Sequence, residues 1–164
     1  MKKLRLEKIM INSKNLEKNE VKDYFNGTGF DRWNRIYSKS DDVNSVQKNI
    51  RIGHQKTVDD VIKWIKKYPE YTNMTFCDAG CGVGSLTIPL LKIGVKEIQV
   101  SDISDSMIDE TKLRIKNAGL SSRGIKYKVS DLEKLTGTFD FVICLDVFIP
   151  VSYTHLTLPT TSTV

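Results

Sequence analysis

No stretch of this sequence approaches the roughly 18 consecutive apolar residues that a membrane-spanning helix requires. Cysteine is scarce and odd in number, three in 164 residues, which excludes a paired disulfide framework and points to a reducing, cytoplasmic compartment. Cys77 and Cys81 stand close together, but no histidine or third cysteine lies near them, so no metal site is expected. Cys77 ends an apolar run and reads as core, and Cys81 reads as a small loop residue. The opening "MKKLRLEKIMINSKNLEKNE" has charge but lacks the apolar segment of a secretory signal. Its acids and its shortage of serine also distinguish it from an organelle transit peptide. The net charge is +5, with the excess before residue 70. No run of like charge reaches about five or six residues, so the excess reads as a solvated helical surface and no nucleic-acid partner is expected.

What is present is an ordinary globular composition, 40% hydrophobic and 27% charged, in a chain long enough to bury a core. Its character changes near Pro69. Before that residue the patterns are helical. Val21, Tyr24 and Phe25 share a face, and Gly27 and Gly29 then interrupt. Thr28 is a candidate cap for a second helix carrying Phe30, Trp33, Ile36 and Tyr37. A third helix is expected from a cap at Ser40, with Val43, Val46, Gln47 and Ile50 on its inner face. After Gly53 a further one places Val58, Val61, Ile62 and Ile65 inward. After Pro69 strands and helices alternate: "NMTFCDAG", a helix over 85–93 in which Pro89 must lie near the start, "KEIQVSD", a helix over 104–118, "GIKYKVSD" and "TFDFVICLD". The last strand reads as a buried run from Phe141 to Ile149. This order is that of an α/β, Rossmann-like parallel sheet, with about four readable strands, behind an N-terminal helical cap. The organisation expected is therefore residues 1–69 as a helical arm, 70–149 as a partial nucleotide-type domain, and 150–164 as a non-native tail.

The sharpest chemistry lies in "CDAGCGVGSL". A strand ends at Asp78, Gly80, Gly82 and Gly84 alternate, and a helix follows. Glycines there allow a tight turn and a close approach of backbone to ligand. Ser85 stands where the last glycine of a dinucleotide fingerprint would be. The loop instead resembles the D-x-G-x-G-x-G loop of class I S-adenosylmethionine-dependent methyltransferases, where the acid matching Asp78 lies beside the methionine end of the cofactor. Asp102, followed by Ile103, ends the second strand, where a carboxylate can bond a ribose diol. Asp131 and Leu132 follow the third strand, at the family's adenine position. Leu145 and Asp146 end the fourth, beside the expected methyl-transfer point. The four acids stand at the strand ends that face the ligand crevice of open α/β sheets.

The segments "VKDYFNGTGFDRWNRIYS", "DDVNSVQKNIRIGHQKTVDDVIKWI", "FCDAGCGVGSLTIPL" and "FDFVICLDVFI" together resemble the magnesium-protoporphyrin IX O-methyltransferase family. The resemblance covers about residues 20–149. It implies S-adenosylmethionine as cofactor, S-adenosylhomocysteine as product, and magnesium only as part of the porphyrin substrate. It also implies methylation of one propionate carboxylate in chlorophyll or bacteriochlorophyll synthesis. A magnesium chelatase subunit as partner and peripheral contact with photosynthetic membranes follow from the same resemblance. A flat macrocycle needs an apolar lid, for which Tyr24, Phe25, Phe30, Trp33 and Tyr37 are candidates. Arg32, Arg35 and Arg51 are candidates for the other propionate. Tyr24 is the first choice for touching the reacting carboxylate, and His54 reads as a cap or a satisfied buried group, outside the catalytic set. Two alternatives stay open: another small acid, quinone or phenol as acceptor, or a cofactor-binding fragment without turnover. The family usually continues past the fourth strand with a histidine where this chain has Pro150, and "VSYTHLTLPTT" (151–161) resembles the translation of a sequencing-library adaptor.

Overall fold

The computed structural model describes residues 16–38 and 43–147. The cap expected at Ser40 and the tail from residue 150 lie outside the described residues. So do residues 1–15 and the part of the expected last strand beyond Val147.

Three helices come first: α1 over 16–26, α2 over Thr28–Ile36 and α3 over Ser45–Ile65. In α2, Thr28 is the first helical residue, not the cap; that place falls to Gly27, with no side-chain hydrogen bond. The two helices expected on either side of Gly53 are one continuous α3. A mid-helix glycine costs about 1 kcal/mol relative to alanine. Here Gly53 faces open space, and the helix is anchored on both sides of it. At its start, Asn44 Oδ1 accepts from the Gln47 N–H at 2.9 Å, while Gln47 Oε1 accepts from the Asn44 N–H at 3.1 Å, a reciprocal capping box. Further along, Val58 and Ile65 are buried and Val61 and Ile62 pack against the core, as their spacing implies; Val46 is exposed. Replacing Asn44 by alanine should lower stability by about 1 kcal/mol in urea denaturation, without changing the slope of the transition.

The remainder is a parallel sheet in the order β3-β2-β1-β4, with β1 over Thr75–Ala79, β2 over Glu97–Asp102, β3 over Ile125–Val129 and β4 over Phe141–Ile143. Helix α4 (Thr87–Lys92) follows β1, and α5 (Asp105–Asn117) follows β2. The glycine loop takes up the residues before Thr87, so α4 starts later than the sequence implied and Pro89 falls in its first turn, where no backbone donor is lost. Ser104 caps α5 as expected, accepting from the Met107 N–H at 3.2 Å.

Phe76, Leu90, Val100 and Ile108 are completely or almost completely buried between sheet and helices. Phe141 stacks on Phe76 at 4.9 Å and meets the edges of Trp64 and Tyr68. These contacts register β4 against β1, helped by Asp140, whose Oδ2 accepts from the Thr75 N–H and hydroxyl. β4 is shorter than its apolar run: it ends at Ile143, and Asp146, in a left-handed conformation with φ 56°, lies beyond it. Within β4, Phe141 and Ile143 are buried, but Val142, expected to be buried with them, faces outward and is 64% exposed. No helix among the described residues is long and apolar enough to cross a membrane.

Candidate active site

A cavity of about 540 Å³ opens where the carboxyl ends of the strands meet the helical arm. Gly80, Gly82, Asp102 and Ile103 line it from the glycine loop and the end of β2. Asp131, Leu132 and Leu145 line it from the ends of β3 and β4, and Phe25 and Trp33 from the arm. All nine are site residues expected from the sequence. Lys18, Val21, Ser85 and Val147, which were not expected at the site, also reach the wall.

Local backbone chemistry sets this arrangement. Gly80 and Gly84 both lie in the left-handed region, at φ 81° and 80°. A Cβ on Gly80 would come within 2.2 Å of Val147 Cγ2, and one on Gly84 within 2.9 Å of Thr111 Cγ2. Both sites therefore demand glycine for conformation and for room. Gly80 and Cys81 donate their N–H groups to Ser101 O at 2.8 and 2.9 Å, which pulls the loop across the end of β2. Cys81 is buried beneath the loop, its thiol pushed well up by that burial.

Asp102 is held by two backbone donors, the Gly82 N–H on Oδ2 at 2.9 Å and the Ser104 N–H on Oδ1 at 3.0 Å. Burial pushes its pKa up, and these N–H groups counter the rise. Each oxygen keeps a lone pair for a ligand hydroxyl. Asp131 Oδ1 accepts from the Lys134 N–H at 3.0 Å, and its Oδ2 faces Lys18 Nζ at 3.4 Å. Burial works against ionisation there, but Lys18 and the Lys134 N–H outweigh it and hold the carboxyl below its usual range.

Asp78 does not line the cavity. Its side chain turns into the core and accepts from the Thr87 hydroxyl. Burial raises its pKa to about 6, Thr87 opposes the rise, and the neighbouring charge of Asp102 adds to it. Gly84 also stands behind the wall, packed on Thr111. On the arm, the Tyr24 ring lies over Gly29 and edge-on to Phe25 at 5.1 Å, so it backs the lining residue Phe25 without reaching the cavity. Phe30 is half-buried off the wall. Arg32 is exposed and lies over the Trp33 ring at 5.7 Å, and Arg35 is exposed. Arg51 donates to Ile36 O at 2.6 Å and Arg35 O at 3.1 Å, joining α3 to the end of α2.

His54, set outside the candidate set by sequence, lies on the wall beside Tyr37 and Asp146. One ring nitrogen meets Asp146 and the other Ser85, and Tyr37 packs on the imidazole with centroids 4.4 Å apart. Burial, and then the charge of Asp146, raise the Tyr37 pKa and keep the phenol neutral.

A family model described as a methyltransferase domain matches residues 76–158. The chain belongs to the methyltransferase domain family. This methyltransferase domain, with its arm, is 48% identical over 134 residues to the chloroplastic magnesium protoporphyrin IX methyltransferase of Arabidopsis thaliana, covering 81% of this chain and 42% of that protein. It is 47% identical over 133 residues to the magnesium-protoporphyrin O-methyltransferase of a Synechocystis species, covering 81% and 57%. Among solved structures it is similar to magnesium protoporphyrin IX methyltransferase from Synechocystis PCC 6803 with bound SAM, at 47% identity and a TM-score of 0.75, covering 80% of this chain and 62% of that one. The same enzyme with bound SAH gives a TM-score of 0.74. The methyltransferase domain and arm therefore share that class I fold. The chain spans about half the length of the curated relatives it matches.

Proposed function

We propose that this chain binds S-adenosylmethionine and methylates a propionate carboxylate of magnesium protoporphyrin IX, releasing the monomethyl ester and S-adenosylhomocysteine, in chlorophyll or bacteriochlorophyll synthesis. The observation that carries the reading is the cavity where the glycine loop and the doubly anchored Asp102 converge, in a chain 47% identical to a solved enzyme of that activity.

The residues suit such a cofactor. Asp102 presents two acceptor oxygens to a ribose diol, its negative charge disfavours a phosphorylated ribose, and Gly80 and Gly82 let the backbone approach closely. Asp131 and Leu132 are assigned to the adenine ring, the first to its amino group and the second to its face. When bound, S-adenosylmethionine supplies an electrophilic methyl group that passes to a carboxylate oxygen as S-adenosylhomocysteine leaves. A propionate is ionised near neutral pH, so the protein need not remove a proton. Its task is to hold the oxygen in line and exclude water, a matter of orientation. Phe25, Trp33 and Tyr37 give the cavity an apolar, aromatic wall on the arm side, suited to a flat macrocycle.

Arg32 and Arg35 are proposed for the second propionate, which fits the exposure of both and the place of Arg32 over the Trp33 ring. Tyr24 remains the proposed contact to the reacting carboxylate, and reaching it requires the ring to leave Gly29 when the acceptor binds. Tyr24→Phe should then cut turnover about tenfold while leaving S-adenosylhomocysteine affinity unchanged. Unchanged turnover would remove Tyr24 from the reaction. Delivery of the porphyrin by a magnesium chelatase subunit and peripheral contact with photosynthetic membranes belong to the same proposal.

Calorimetry with S-adenosylhomocysteine tests the cofactor half, and absence of heat refutes it. Transfer of labelled methyl to magnesium protoporphyrin, set against small acids, quinones and phenols, tests the acceptor half; preference for any of the others overturns it.

A further inference from the structure

Three polar side chains from three separate segments meet on the cavity wall: His54 from α3, Ser85 from the glycine loop and Asp146 from the turn after β4. A carboxylate only accepts hydrogen bonds, so His54 Nδ1 carries the proton and donates to Asp146 Oδ2. In the neutral imidazole the Ser85 hydroxyl, 2.7 Å from Nε2, then donates to it. With its one proton committed to the imidazole, the Ser85 oxygen can only accept from anything in the cavity. The Asp146 side chain is 40% exposed, against 7% for His54, and a carboxylate accepts more than one hydrogen bond. The cavity thus meets two acceptors, one of them anionic, held in place by a buried imidazole.

The backbone is specialised to produce this. Among the described residues Asp146 is the single non-glycine with positive φ, at 56°, a conformation rare for residues with side chains. Val147, the next residue, packs so closely over Gly80 that the turn and the glycine loop fix each other. Tyr37 covers the outer face of the imidazole. Hydroxyl, imidazole and carboxylate also occur in this order in hydrolytic triads, but there the acid is buried behind the histidine. Here the acid opens to the cavity and the histidine is the buried member.

Two acceptors, one charged, complement a cation that has hydrogens to donate. The cofactor of the reading above has such a group, the ammonium of its amino-acid arm. Asp78, the acid expected to meet that arm, is occupied in the core by Thr87. We propose that Asp146 and Ser85, positioned by His54, receive the ammonium of the S-adenosylmethionine amino-acid arm. The assignment rests on the cofactor reading.

The test is calorimetry with two ligands, S-adenosylhomocysteine and its deaminated analogue, in which hydrogen replaces the amine. Asp146→Asn is the informative variant, because asparagine tolerates the left-handed region and its amide oxygen still accepts from His54. It should weaken S-adenosylhomocysteine about tenfold or more and bind the deaminated analogue as the unsubstituted chain does. Ser85→Ala should act in the same direction. His54→Ala should reproduce the loss, and His54→Asn, whose amide can still donate to Asp146, should restore much of it. Equal S-adenosylhomocysteine binding by Asp146→Asn and the unsubstituted chain would overturn the assignment. So would a loss that affects both ligands equally, which marks a structural role. If the unsubstituted chain binds neither ligand, the cofactor reading itself fails.

Discussion

Alanine at Asp102 should reduce affinity for S-adenosylhomocysteine by about a hundredfold or more, the largest binding effect expected of any single substitution here. Two losses follow. The loss of affinity is that of the ligand's own hydrogen bonds to a charged acceptor, worth about 1.5–3 kcal/mol each. The carboxylate also satisfies the Gly82 and Ser104 N–H groups, and leaving such donors unpaired costs about 1–3 kcal/mol each in free and bound protein alike, a loss of stability. Asp102→Asn separates the two, because its amide oxygen can keep one backbone donor while the charge is gone. Calorimetry on both variants, with urea denaturation as the check on folding, measures the effect. Near-normal affinity in Asp102→Ala would show that the ligand's sugar is held elsewhere.

The second large effect is on stability. Asp78→Asn should stabilise the protein at pH 8 and have little effect at pH 4. Burial raises the folded-state pKa of Asp78 from 3.8 to about 6, with the Thr87 hydroxyl opposing and the Asp102 charge assisting. Between those two values the native state binds more protons than the unfolded chain, so stability falls as pH rises through the window and levels off above it. The gap corresponds to about 3 kcal/mol at most. Asparagine keeps an acceptor for the Thr87 hydroxyl and removes the cost of a buried charge. Urea denaturation at the two pH values should show a difference of about 2–3 kcal/mol at pH 8 that vanishes at pH 4. A difference of equal size at both would mean that Asp78 is not the titrating group.

Much of this architecture was legible because strand patterns are local. β1, β2 and β3 lie within the segments whose apolar runs and turn residues announced them, and Ser104 caps α5 as its position implied. Boundaries set by tertiary packing were less so. Gly53 looked like a break, yet the buried Val58 and Ile65 and the box at Asn44 hold α3 together across it. The run after Phe141 looked like a long buried strand, yet β4 stops at Ile143 and its middle residue, Val142, faces outward.

At the site, glycines and strand-end acids could be found from their spacing, but side-chain direction could not. Asp78 has the expected place in sequence and the opposite orientation, because Thr87 on the next helix offers it a buried donor. The cluster of His54, Ser85 and Asp146 joins residues too far apart for any motif to link. One signal was available: His54 falls on the same helical stripe as Val58, Val61 and Ile65, so a polar ring had to turn inward and find partners there.

The strand order also implies an order of assembly. Thr75 meets Glu97 and Ile98 meets Ile125 across short βαβ connections, whereas Phe76 must wait for Phe141 from beyond both. The added loop-closure entropy is only about 1 kcal/mol, so the delay is kinetic rather than a large loss of stability. The pairing of β1 with β4, marked by the stacking of Phe141 on Phe76, is thus the longest-range closure among the described strands, of the kind that contact order makes slow to form.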